Sequence, residues 1–186
     1  VEIRVPAGTL VAPVSQSGVG TAYSERLLVG LQQGAVYRFR VNQLPAHPEV
    51  EVYPTVELVD RLHPPAGEAL KFPVPIDLTT DELLMAAEGR YITRVIYVED
   101  PRFALPIARQ SAEEVPWFEV RPGDDPLVMA DQLGRPIAIV RIGGRKPQPQ
   151  QPESDFAFGS PEPVIYDPPL PTAVVQPAAA TQASNR

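Results

Sequence analysis

Histidines, acids and serines are the residues of this chain that could do chemistry, and their spacing decides which chemistry is open to them. His47 and His63 are the only histidines, and a proline follows each directly. A zinc site needs roughly three or four ligands converging at short spacing; with no HxxxH or HxH pair, both read as loop histidines. Cysteine is absent, which removes disulfides, thiolate metal sites and thiol nucleophiles. The serines lie in no G-x-S-x-G setting, and neither a phosphate loop nor a dinucleotide fingerprint is present. Carboxylates pair at Glu99 and Asp100, Glu113 and Glu114, and Asp124 and Asp125. Calcium takes roughly six to eight oxygens, whereas Asp124 and Asp125 more simply cap a helix, and Glu99 and Asp100 end a strand. Acids distant in sequence could meet for glycoside hydrolysis, but that depends on a spatial separation that sequence does not carry. Trp117, Phe118, Tyr23 and Tyr53 could stack on sugar faces, although the WFEV run alternates like a strand with Trp117 in the core. No catalytic, metal or cofactor-binding residue and no cofactor is assigned on this reading, and a hydrolase with spatially paired acids is the least favoured function.

Composition narrows the partners. The chain has 186 residues, long enough for one domain with a real core and for appendages to it. Its net charge of −7 argues against nucleic acid, whose phosphate backbone demands a basic face. Fourteen of its sixteen basic residues are arginine, the exceptions being Lys71 and Lys146. Arginine forms bidentate pairs with carboxylates and is enriched in protein interfaces; a GC-rich genome would produce the same bias. No apolar run approaches the ~20 residues that cross a bilayer as a helix. The absence of cysteine is neutral on compartment, while a first residue of Val1 rather than methionine suits a processed, exported chain.

The stretch most able to organise a fold is Thr79 to Asp100. Thr79 or Thr80 can cap a helix, Asp81 and Glu82 suit its positive end, and Gly89 stops it. From Tyr91 to Val98 both parities are largely apolar, which predicts a central strand buried on both faces. Leu83, Gly89 and Tyr91 are spaced like a tyrosine corner, the device by which an immunoglobulin-like sandwich locks the turn between its sheets. Thr93 stands where antibody domains carry a cysteine, and Ala87 where they carry an acid, so a disulfide-free, non-antibody sandwich is what remains. The same pattern also fits an ordinary helix-turn-strand with a buried Tyr91.

Other elements follow from periodicity. Tyr37, Phe39 and Val41 alternate with Arg38, Arg40 and Asn42, predicting a half-buried strand with a basic outer face. Val50 to Asp60 reads as a strand interrupted by Pro54, and Leu70 to Asp77 as an edge strand or polyproline-like ribbon whose prolines share one face. Segments 103–107 and 117–120 are short strand candidates. Asp124 or Asp125, Pro126 and Gly134 mark the cap, first turn and stop of a second helix, and residues 137–142 a last buried strand.

The domain reading has three parts: an extended N-terminal arm over 1–33 with at most one edge strand, a β-sandwich over 34–145, and a Pro-rich tail over 146–186, disordered or docking. In the tail, Phe156, Phe158, Ile165, Tyr166 and Leu170 are too apolar for a spacer and are the candidate partner-binding residues. Val1 to Val5 and Val164 to Tyr166 suit addition of a strand to an open sheet edge. A floppy tether is the alternative for both flanks.

The stretches VYRFRV, PTVELVDRLHPP, FPVPI, EGRYITRVIYVEDP, WFEV and GDDPLVMADQLGRPIAIVRIGGR resemble an uncharacterised family of exported bacterial proteins found chiefly in planctomycetes. The resemblance spans about Val36 to Arg145; it implies export and transfers no activity and no site. The expectation is therefore an all-β chain, an immunoglobulin-like β-sandwich with two short helical connections. Its expected role is a non-catalytic structural or interaction module of a bacterial cell envelope or extracellular assembly. Its partner would be a protein, as a homo-oligomer or envelope assembly, through the terminal arms; carbohydrate binding is the alternative.

Overall fold

Strand periodicity places the core. Residues 1–100, 102, 120–121, 123–148 and 150–166 are described by the structure, a computed structural model. Over Val36–Asn42 (β6) the side chains of Tyr37, Phe39 and Val41 are buried and their neighbours are not, as the alternation predicts. The same alternation recurs over Arg26–Gly30 and Thr55–Leu58, and the described chain has two sheets and few helices. The fold is all-β, a sandwich of two sheets around one main core.

The smaller sheet has the order β11-β5-β1-β8, from Val164–Ile165 (β11), Arg26–Gly30 (β5), Glu2–Arg4 (β1) and Pro75–Asp77 (β8). Its pairs are antiparallel except β1 with β8, which is parallel. The larger sheet has the order β3-β2-β6-β7-β10-β9, from Gly18–Val19 (β3), Leu10–Ser15 (β2), β6, Thr55–Leu58 (β7), Gly134–Ile142 (β10) and Ile92–Glu99 (β9); Tyr23–Ser24 (β4) also pairs with β2. Ile3, Leu27, Val29 and Ile76 from the smaller sheet meet Val11, Phe39, Val56, Val140 and Ile142 from the larger in one core cluster. Each such burial contributes about 1.5–3 kcal/mol, the dominant stabilising term.

The N-terminal third corrects the arm reading. Residues 1–33 carry five strands, β1 to β5, and Ile3, Val11, Val14, Leu27 and Val29 are at most 1% exposed. No run there is long, but a strand gains its hydrogen bonds from its neighbours rather than from its own length. Val1 to Val5 does not add to an open edge: its residues 2–4 lie inside the smaller sheet, paired on both sides with strands of their own chain.

Helix caps behave as their chemistry requires. Thr80–Ala87 (α1) begins with a capping box: Thr79 Oγ1 accepts from the Glu82 amide at 3.3 Å, and the Thr79 amide donates to Glu82 Oε2 at 3.0 Å. Leu83 and Ala86 of α1 are fully buried in the main core. Pro126–Leu133 (α2) has Pro126 in its first turn, and the Asp125 side chain accepts from the Leu127 amide at 2.8 Å. It packs on β9 and β10.

The tyrosine corner does not form. Gly89 has the expected left-handed backbone, φ 94°, and Leu83 lies in the core, but Tyr91 is 69% exposed. Its ring lies across Gly143, where a Cβ would stand 3.1 Å away. Among the described residues β9 ends the larger sheet, so Tyr91 stands at a border with no inter-sheet turn to lock. Nor is β9 the strand buried on both faces, for its residues are half-buried or exposed. That place belongs to β10, where Ile137, Ala138, Val140 and Ile142 are at most 1% exposed.

Two further expectations change in part. Residues 70–77 hold a 3₁₀ turn, Ala69–Lys71, before β8, and Leu70 and Phe72 are 54% and 52% exposed rather than on a buried face. β8 is an edge strand, as its prolines require. Pro54 divides an isolated Val41–Val52 bridge from β7, yet it stays within the pairing by accepting from the Phe39 amide at 2.9 Å. Segments 103–107 and 117–119 lie outside the described residues.

Candidate functional site

The C-terminal segment is a strap closed on its own chain. Glu153–Ala157 (α3) lies on the outer face of the larger sheet, and Phe156 is 1% exposed against Val14 and Tyr53. The Tyr53 and Phe156 rings meet edge to face at 4.7 Å between centroids. Ser160, also buried, accepts from the Arg38 amide at 2.9 Å. Glu162 accepts from Ser17 Oγ at 2.6 Å. The chain then reaches the smaller sheet, where β11 pairs with β5 and the Tyr166 amide donates to the Leu28 carbonyl at 3.0 Å. Gly30 permits a close approach there: a Cβ on it would stand 3.1 Å from the Tyr166 ring, which would have to give by a few tenths of an ångström.

Of the residues expected to seize a partner, Phe156 is thus spent within its own chain, a correction that follows from the basic outer face of β6 needing cover. Ile165 packs against the main core and Tyr166 is half-buried. Phe158, at 82% exposed, stays free of such burial. Leu170 lies outside the described residues. Sequence spacing contained no signal for the Ser17–Glu162 or Arg38–Ser160 contacts, whose partners stand 145 and 122 residues apart.

Beside the strap, the outer face of the smaller sheet forms an open groove of about 800 Å³. Its floor carries Glu2, Arg4, Arg26 and Leu28; Leu70, Phe72 and Tyr166 are at its sides. Arg4 and Arg26 stand directly opposite each other across β1 and β5. Glu2, 7% exposed, bridges them, one oxygen 2.6 Å from Arg4 and the other 3.2 Å from Arg26. The guanidinium groups are half exposed, so the groove offers a floor of two cations bridged by one carboxylate, with apolar sides. Such a surface accommodates an extended protein segment more readily than it activates a small substrate.

The outer face of the larger sheet is built differently. Arg38 and Arg40 project from β6, and the guanidinium of Arg38 lies 4.7 Å from the centre of the Phe156 ring. Arg145 approaches the same ring at 5.6 Å. Arg141, on the same face, has its own carboxylate, Glu57, at 2.9 Å.

The residues weighed for chemistry are scattered or engaged. His47 Nδ1 lies 3.6 Å from Glu49, and His63 is exposed in its loop. Asp125 caps α2, and Asp100 is held below the usual carboxylate range by hydrogen bonds from the Arg102 side chain and amide. Tyr53 is 6% exposed with its hydroxyl donating to Glu51 at 2.7 Å, and Tyr23 packs against the core, so neither forms a sugar platform. Glu113, Glu114, Trp117 and Phe118 lie outside the described residues. Among the described residues no cluster of acids and histidines could hold a metal ion, and no helix is long and apolar enough to cross a membrane. Comparison of the chain with protein-family models, curated proteins and solved structures gives no match.

Proposed function

We propose that this chain is a non-catalytic structural or interaction module of a bacterial cell envelope or extracellular assembly, joined to further copies through its C-terminal strap. The observation that carries the reading is the way the strap docks. It follows a proline-containing connection, inserts one aromatic ring under α3 and adds a short strand to the β5 edge. All three features belong to the recurring mode of strand addition between chains. Each contact joins the strap to residues far from it in sequence, so an identical surface on a neighbouring copy offers the same partners; exchange of such an element is a low-cost route to assembly. The immunoglobulin-like refinement of the sandwich rests on the two packed sheets alone, since the corner that supported it is absent.

A chain without cysteine permits a direct test. A Cβ placed on Gly30 lies 3.4 Å from the Cβ of Val164, close to the ~3.5–4.5 Å that a disulfide spans. In the Gly30→Cys/Val164→Cys variant, oxidation at high dilution should lock the strap onto its own copy. Assembly of the full chain, measured by light scattering, should then fall and return on reduction, and oxidation of the concentrated protein should yield dimers on a non-reducing gel. A locked chain that assembles as the wild type does would overturn the exchange, and a wild-type chain monomeric at every concentration would overturn the assembly reading itself.

A further inference from the structure

We infer that Arg38, Arg40 and Arg145 form a binding site for a tetrahedral oxyanion group, phosphate or sulfate in type, on the outer face of the larger sheet beside Phe156. The inference goes beyond the assembly reading and does not depend on it. Arg38 and Arg40 are two residues apart on one strand face, a separation of about 7 Å. Arg145 joins Arg38 from the connection after β10, because both lie against the one Phe156 ring, and Arg40 flanks Arg38 on the strand. Among the described residues no carboxylate pairs with any of the three, whereas Arg4, Arg26, Arg94, Arg135 and Arg141 each have one within 3.4 Å. Glu51, on the adjoining segment, accepts from Tyr53 instead.

The imbalance belongs to these three arginines and not to the chain, for Arg141 on the same face has Glu57 beside it. Acids outnumber bases, 23 to 16, so counter-ions are plentiful, yet none of the described ones forms an ion pair with these three arginines. The Nε atoms of Arg38 and Arg40 are buried without a hydrogen-bond partner. Burial first, and repulsion from Arg145 second, push the Arg38 guanidinium below its usual pKa. Among the described residues, therefore, these positive charges stand without a neutralising carboxylate. Stacking on Phe156 orients two of them without using their N–H donors, which leaves those donors for a ligand. Guanidinium groups from two segments offer more donors than the two oxygens of one carboxylate accept, and a tetrahedral oxyanion has oxygens for both directions.

The probe is inorganic pyrophosphate titrated into the full chain at low ionic strength, followed through the arginine Nε–H resonances, with sulfate in a parallel arm. Saturable shifts of the Arg38 and Arg145 signals are expected, and the tighter of the two anions names the group type. Arg145→Gln, at an exposed position that leaves folding intact, should weaken binding by about tenfold. Arg38→Gln should do the same, while Arg135→Gln, which removes an equal charge beside Asp60, should leave affinity unchanged. Absence of saturation by either anion would overturn the inference, as would equal affinity in Arg145→Gln and Arg135→Gln.

Discussion

The outer faces of the two sheets treat the same residue in opposite ways. On the smaller sheet Arg4 and Arg26 stand opposite each other, an arrangement of like charges that is unfavourable across a strand pair. Glu2 sits between them with an oxygen for each. On the larger sheet Arg38 and Arg145 share an aromatic ring and no described acid. Where a carboxylate is built in, the guanidinium is part of the fold's own electrostatics. Where a ring takes its place, the charge is oriented but no described acid neutralises it. The arginine-rich composition therefore has two structural meanings, which a count of residues does not separate.

Removing the ring tests the comparison most severely. Phe156→Ala deletes the only aromatic side chain that α3 buries, and a loss of about 3 kcal/mol is expected for a fully buried phenylalanine. The loss should be local: amide exchange across 155–166 should accelerate while β6 and β10 stay protected, because their core lies on the opposite face of the sheet. Equal loss of protection in β10 would mean that the strap and the main core are one unit, and the ring more than a cover for one face.

The second test exchanges the charges themselves. Glu2→Gln leaves two opposed arginines without their bridge, and since both are half exposed the expected cost is about 1–2 kcal/mol in urea denaturation. Arg38→Gln should cost nothing or stabilise, because it removes a charge that burial and Arg145 already disfavour. If Arg38→Gln proves as costly as Glu2→Gln, the two faces are electrostatically alike and the distinction fails.

What could be read from the sequence was local. Tyr37, Phe39 and Val41 declared a strand by alternation, Thr79 or Thr80 with Asp81 and Glu82 declared a helix start, and Asp124 or Asp125 with Pro126 another, because periodicity and capping act within a few residues. Phe156 stood out by its apolarity in a proline-rich segment, although its socket on β2 and β6 did not. The Glu2 bridge could not be read, since it depends on β1 lying beside β5, in the register that sets Arg26 opposite Arg4. Tyr91 misled for a related reason. A glycine two residues before a tyrosine and a buried leucine is compatible with a corner or with a border, and only the order of the strands decides between them.

The smallest expected effect belongs to Arg145→Gln, and it separates orientation from stability. Arg145 is exposed and touches Phe156 at the outer range of a cation–ring contact, where the attraction is about 0.5–1 kcal/mol at best. Repulsion between Arg145 and Arg38, visible in the depressed pKa of Arg38, works against that gain. The two nearly cancel, so the urea midpoint should move by no more than corresponds to about 0.5 kcal/mol. The same substitution is expected to weaken anion binding markedly, so one variant gives two readings that must disagree in size. A clear loss of stability would instead make Arg145 a clamp on the strap, and the larger sheet's outer face would then need its arginines for the fold, as the smaller sheet's does.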